Sequence, residues 1–319
     1  MSAATTEAAS LSELFRAIVD NVEQVIQGKP EVVELALLCL LAEGHLLVED
    51  VPGVGKTSLA KALAASLQCS WKRVQFTPDL LPSDVVGVSV WQRSSDTFEF
   101  RPGPIFANLV LADEINRASP KTQAALLEAM EEGQVTVDGT SYRLAQPFMV
   151  LATQNPIEHE GTFPLPESQL DRFLMRLSMG YPTRDAELQI LDTHGAPGAL
   201  ANLRPVCTAS QVIGMIHAVR SVHVAPAVKH YLVDVADATR RHPAVQLGMS
   251  PRASLALLRA SRARAAAAGR DHVLPDDVKA LAEPVIGHRL LLSADAQLQG
   301  LPVARVVAEV LAAVPVPTR

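Results

Sequence analysis

Four side chains in two short stretches carry the chemistry to hold a phosphate chain and direct water onto it. Lys56 and Thr57 lie in EDVPGVGKTS (49–58), and Asp113 and Glu114 lie in NLVLADEINRA (108–118). The first stretch approaches the pattern G-x-x-x-x-G-K-[ST]. There, backbone N–H groups cradle phosphates, the lysine reaches the β- and γ-phosphates, and the hydroxyl meets Mg²⁺. Gly55, Lys56 and Thr57 match, but Asp50 stands where the first glycine belongs. Aspartate is one of the few other residues that enter left-handed backbone conformations readily. Its charge is tolerable beside phosphates only with the carboxylate turned away. The loop is read as Asp50, Val51, Pro52, Gly53, Val54, Gly55, Lys56, Thr57 and Ser58.

The two carboxylates suit different tasks. Asp113 is a candidate ligand for the Mg²⁺ whose other protein ligand is the Thr57 hydroxyl. Glu114 is a candidate for orienting and polarising an attacking water. The bland alternative is an Asp-Glu pair that caps the following segment.

These residues need a strand before them and a helix after the loop. HLLVE (45–49) is short, apolar and bounded by glycines, as a buried strand should be, and SLAKALAASL is a helix former. Leu109–Leu111 and FMVLATQNP supply two further buried strands. Asp113 and Glu114 emerge at the C-terminal end of one strand, and Gln154 and Asn155 at the end of the other, the edge where parallel sheets bind ligands. The Asn155 amide either reaches a γ-phosphate or merely begins a loop. Helical spacing of Leu14, Ile18, Val22 and Val25 and the run 31–42 predict two helices ahead of the first strand. Ser119, Pro120 and Gly133 bracket a further one.

Two polar-turn segments read as hairpins: 84–104, and 134–144 around Asp138-Gly139. In the first, Trp91, Phe98 and Phe100 pack the hairpin onto its own domain or present it to a partner. Beyond Tyr181-Pro182 the pattern is nearly all helical, with a linker at 196–205. The expected organisation is a flexible stretch over 1–10, an α/β domain over 11–190 and a helical domain over 205–319. In GMSPRASLALLRAS, Ser250 caps a helix whose first turn holds Arg252, where the macrodipole disfavours a cation by about 0.3–1 kcal/mol. A nearby phosphate reverses that cost; otherwise Arg252 is an exposed arginine tolerated there.

The chain has 319 residues, 48% hydrophobic and 19% charged, with aromatics at 4%, which fits a packed globular protein with an aliphatic core. A net charge of −6 gives no general attraction to nucleic acid or anionic membrane. Cys39, Cys69 and Cys207 have no metal-binding spacing and fit reduced thiols. No leader pattern opens the chain, and the longest apolar run, LALLCLLA, is too short to span a bilayer. A cytoplasmic protein without membrane insertion is expected.

Together these residues resemble the MoxR family of AAA+ ATPases. Beyond VPGVGKT, the likeness is carried by TPDLLPSDVVG, FRPGPIFANLVLADEINRASPKTQAALLEAMEEGQVTVDG, LATQNPIEHEGTFPLPESQLDRF and the later SPR. The resemblance implies an αβα P-loop core with a parallel sheet, inserts at 84–104 and 134–144, and a small all-helical lid. It implies a homo-oligomeric ring, usually a hexamer, with ATP and Mg²⁺ at subunit interfaces. Carried onto this chain, it makes Glu114 the catalytic carboxylate and Asn155 the sensor-1 amide. Arg172 becomes the arginine finger, although pairing with Asp171 inside its own subunit is the alternative. Arg252 becomes the sensor-2 arginine, and the segment containing Ile26 and Gly28 borders the adenine. Partner proteins are implied as clients, among them proteins with a von Willebrand A-type domain.

The function expected is Mg-dependent ATP hydrolysis coupled to remodelling or maturing partner proteins. Two alternatives are a nucleic-acid-stimulated motor, which the acidic balance disfavours, and a nucleotide-gated binding module with little turnover.

Overall fold

The computed structural model describes residues 3–51, 53–155, 161–193 and 199–317. Apolar spacing sets the first two helices, α1 (Ala3–Glu23) and α2 (Pro30–Leu41). Phe15, Ile18 and Val22 turn one face of α1 into the core, and Pro30 occupies the first turn of α2. The helix begins at Ala3, within the stretch 1–10 expected to be flexible. Met1 and Ser2 lie outside the described residues.

Short apolar runs then build one parallel sheet. Strand β1 (Leu46–Glu49) leads through the glycine loop into α3 (Lys56–Ser66). Next come β2 (Trp71–Gln75), α4 (Pro82–Val86) and a ribbon of β3 (Gly87–Gln92) and β4 (Thr97–Pro102). Strand β5 (Leu109–Asp113), α5 (Pro120–Glu132), a second ribbon of β6 (Gln134–Val137) and β7 (Thr140–Arg143), and β8 (Met149–Gln154) follow. Helix α6 (Glu167–Leu170) and strand β9 (Met175–Leu177) complete this part. The strand order is β2-β5-β8-β1-β9, and every neighbouring pair is parallel.

Strand side chains alternate between faces, and here each face has its own core. Leu46, Val48, Leu109, Leu111, Met149 and Leu151 enter one buried cluster, while Leu47, Val110, Ala112, Val150 and Ala152 enter the other. Burial on both faces explains why these strands read as continuous apolar runs. Strands β2 and β9 escape sequence reading for different reasons. WKRVQ lies at the sheet edge with only Val74 fully buried, and Met175–Leu177 is too short for a period to register.

The two ribbons meet through Phe100, whose ring stacks on Tyr142 at 4.0 Å. Trp91 and Phe98 touch each other edge-on at 5.0 Å but stay 45% and 70% exposed. Of the three aromatics, only Phe100 is docked onto the core domain. At the root of the first ribbon, Gly87 has φ +100°, and a Cβ there would lie 2.4 Å from the Arg101 carbonyl oxygen. No other residue fits.

The C-terminal part contains α7 (Arg184–Thr193), α8 (Ala199–Asn202), α9 (Ala209–Ser221), α10 (Pro226–Arg241), α11 (Pro251–Ala267) and α12 (Pro275–Ile286). Helices α13 (Ala294–Leu298) and α14 (Val303–Ala313) end it, and β10 (Val245–Leu247) pairs with β11 (Leu291–Leu292) as a small outer ribbon. Of the expected linker at 196–205, residues 196–198 lie outside the described residues, and α8 occupies part of the rest. The core is continuous across the two parts. Ile18, Val33 and Leu37 share one buried cluster with Val212, Ala256 and Leu257, because α1 and α2 pack against α9 and α11.

Candidate functional site

The glycine loop joins the C-terminal end of β1 to the N-terminus of α3. Gly55 precedes the helix with φ +98°, a left-handed turn that leaves the first N–H groups of α3 facing outward. Lys56 Nζ donates to the Asp50 carbonyl oxygen at 2.7 Å. Burial lowers the Lys56 pKa, with Asp50, Asp113 and Glu114 acting in the opposite direction.

Asp50 itself turns away from the loop mouth. Its carboxylate accepts from Gly180 N at 2.7 Å, Ser178 Oγ at 3.0 Å and Val51 N at 3.0 Å. Burial pushes this carboxyl up, but those donors outweigh it and hold it below its ordinary range. The aspartate therefore ties the start of the loop to segment 178–180. Pro52 lies outside the described residues. Val54 is half-buried against the core, and Ser58 sits in the first turn of α3.

Gly53, Gly55, Lys56, Thr57, Arg73, Asp113, Glu114 and Asn155 line one cleft of about 350 Å³ at the C-terminal edge of β1, β2, β5 and β8. Thr153 braces the carboxylates: its hydroxyl donates to Asp113 Oδ1 at 2.6 Å and accepts from Glu114 N at 2.9 Å. Glu114 has φ +57°, an uncommon conformation for a non-glycine residue and a local strain at the mouth of the cleft. Its Oε2 accepts from Gln75 Nε2 at 2.8 Å and Arg117 Nη1 at 3.0 Å. Arg73 donates to Asp113 Oδ2 at 2.6 and 3.0 Å.

Arg73, Gln75 and Thr153 thus belong to the site although their sequence context did not mark them. The available signal was alternation about Val74 in WKRVQ, which sends Arg73 and Gln75 to the same strand face. Among the described residues, no group of three or more His, Cys, Asp or Glu side chains could hold a metal. A Mg²⁺ that arrives on a nucleotide needs only one or two protein oxygens, and Thr57 and Asp113 supply that donor set in one cleft. The cation now on Asp113 is the Arg73 guanidinium.

Ile26 and Gly28 do not line this cleft. Ile26 is 6% exposed in the core, and a Cβ on Gly28 would meet Ala186 at 3.3 Å. Lys29 Nζ donates to the Tyr181 carbonyl at 2.7 Å. This loop therefore borders segment 178–186, the same one that Asp50 grips.

Arg172 and Arg252 converge elsewhere, in a second cleft of about 450 Å³ between the α/β part and the helical part. Both pair with Glu131 at the end of α5. Arg172 does not pair with Asp171, whose carboxylate instead takes Arg289 Nε at 2.6 Å and Ser250 Oγ at 3.1 Å. Arg289 is buried and also donates to the carbonyls of Asp171, Phe173, Leu174 and Val285. Neither arginine lines the cleft that holds Lys56 and Asp113.

A family model described as "ATPase family associated with various cellular activities (AAA)" matches residues 45–175, and an AAA lid domain model matches residues 237–310. A Bacillus subtilis protein, the uncharacterised YeaC, is 50% identical over 309 residues, covering 97% of each chain. Chaperone MoxR1 of Mycobacterium tuberculosis is 39% identical, with 97% of this chain and 84% of the relative covered. A crystal structure from Cytophaga hutchinsonii, described as a candidate ATPase, superposes with a TM-score of 0.91 at 33% identity over 98% of each chain.

Proposed function

Because this chain belongs to the MoxR family of AAA ATPases, we propose that it hydrolyses ATP in a homo-oligomeric ring and uses the cycle to remodel partner proteins. The convergence of Lys56, Thr57, Asp113, Glu114 and Asn155 on one cleft carries this reading. Lys56 and the outward N–H groups at the start of α3 grip the β- and γ-phosphates. Thr57 and Asp113 would hold Mg²⁺, with Arg73 released from Asp113. When bound, Mg²⁺ neutralises charge on the β- and γ-phosphate oxygens. Glu114 orients the attacking water and accepts its proton, and the Asn155 amide positions that water against the γ-phosphate. Ile26 and Gly28 border the base from the neighbouring loop.

Arg172 and Arg252 serve the nucleotide of an adjoining copy. Their place in a cleft separate from the one that holds Lys56 and their partial exposure, 30% and 43%, favour that arrangement. A hexamer is the ring proposed, acting in the cytoplasm on protein clients of the kind implied by the chaperone relative, with a von Willebrand A-type domain as one candidate class. No described helix is long and apolar enough to cross a membrane.

Glu114→Gln tests the chemistry. It should still bind MgATP by calorimetry while turnover falls by roughly 10²–10⁴. Undiminished hydrolysis in that variant would remove Glu114 from the reaction. Mixing Arg172→Ala protein with Lys56→Ala protein should restore activity at the mixed interfaces that pair an intact cleft with an intact arginine.

A further inference from the structure

Glu131 is poorly placed for helix stability. It lies in the last turn of α5, where the macrodipole disfavours an anion, and Glu128 and Glu132 line an adjoining cleft with it. Arg252 has the mirror-image problem in the first turn of α11. The two misplaced charges meet. Glu131 Oε1 accepts from Arg252 Nη2, and Oε2 accepts from Arg172 Nη1, so each carboxylate oxygen holds one guanidinium.

We propose that the Glu131 carboxylate is an internal stand-in for the γ-phosphate of an adjoining copy's nucleotide, holding Arg172 and Arg252 until that phosphate replaces it. The inference rests on the reading that both arginines act on a neighbour. Three observations support it. The arginines do not need Glu131 to be kept together, because Asp171 separately ties Ser250, two residues before Arg252, to the loop that carries Arg172. The ion pairs are about a third or more exposed, so they are weakly held and easily exchanged. The carboxylate also leaves Arg172 incompletely satisfied: its Nε is buried with no acceptor. A terminal phosphate offers three strong acceptor oxygens where Glu131 offers two.

Removing the stand-in should therefore favour assembly around ATP. In this chain, Glu131→Gln should lower the protein concentration that gives half-maximal ATPase activity by roughly three- to tenfold. Sedimentation should reveal the same gain with ATP and none with ADP, which lacks the displacing phosphate. Glu131→Ala should behave alike, and MgATP binding by dilute protein in a Glu114→Gln background should not change. A half-maximal concentration that rises or stays put would overturn the proposal, because Glu131 would then be aiming the arginines or doing nothing. An equal gain in ADP would overturn it too. Arg172→Ala and Arg252→Ala separate the two ideas. If both keep full turnover at saturating protein, the action on a neighbour fails; if both lose it while Glu131→Gln is neutral, only the stand-in fails.

Discussion

Replacing Arg289 with methionine should unfasten the helical part from the segment that carries Arg172. The guanidinium side chain is 3% exposed and reaches five acceptors: the Asp171 carboxylate and four carbonyls. Burial lowers its pKa, with Asp171 opposing that shift, so the charge already carries a desolvation cost. Methionine preserves much of the apolar stem but leaves a half-buried carboxylate and several carbonyls short of a donor. Removing one partner of a buried pair costs about 3–5 kcal/mol. The lower end applies here, because Asp171 keeps Ser250 and the Phe173 carbonyl keeps His288 Nε2 at 3.0 Å. A loss of about 3 kcal/mol is a large share of the ~5–15 kcal/mol that usually separates folded from unfolded chains. Urea unfolding followed by circular dichroism should register it as a lower midpoint with an unchanged slope. Adding Asp171→Leu should recover part of the loss, since the orphaned carboxylate is gone, with a coupling of about 1–3 kcal/mol. A midpoint equal to that of the parent, or strictly additive single losses, would refute the clamp.

Acid should weaken the fold through its buried histidines. His45 accepts from Val150 N at Nδ1 and meets the Met130 carbonyl at Nε2, and burial lowers its pKa to about 4. The unfolded chain binds that proton near pH 6.5. Stability is therefore complete above that pH, falls by about 3 kcal/mol as pH drops from 6.5 to 4, and levels off below. His288, lowered by burial in the same direction, steepens the slope; urea midpoints that stay flat from pH 7 to about pH 5 would contradict neutral burial. Gln75→Leu should leave Glu114 Oε2 with Arg117 alone and raise basal ATPase a few-fold, read by phosphate release; no change would mean that the Gln75 contact does not restrain the carboxylate. Asp50→Ala should cost about 1–3 kcal/mol and raise KM for ATP by loosening the loop from segment 178–180. Gly87→Ala should destabilise the first ribbon, measured as faster proteolysis at 87–102, because its Cβ has no room beside the Arg101 carbonyl.

The site was legible where its parts are contiguous. A strand, a glycine turn and a helix start within 46–66 are one local unit, and apolar runs bounded by polar loops announced β1, β5 and β8. The edge strand β2 was not legible, because a strand with only one fully buried residue in WKRVQ has no apolar signature. Arg73 and Gln75 went unmarked with it.

The chain alone determined which groups could do chemistry and which strands carry them, because those properties follow from residue type and short-range period. Only tertiary structure decided how they are paired. The Asp50 carboxylate turns away from the mouth of the glycine loop because Gly180, 130 residues later, offers it an N–H. Arg73 covers Asp113 from 40 residues away, and Arg252 reaches the Glu131 carboxylate from 121 residues away. Such contacts depend on how two packed parts meet, and no local pattern of residues encodes that distance.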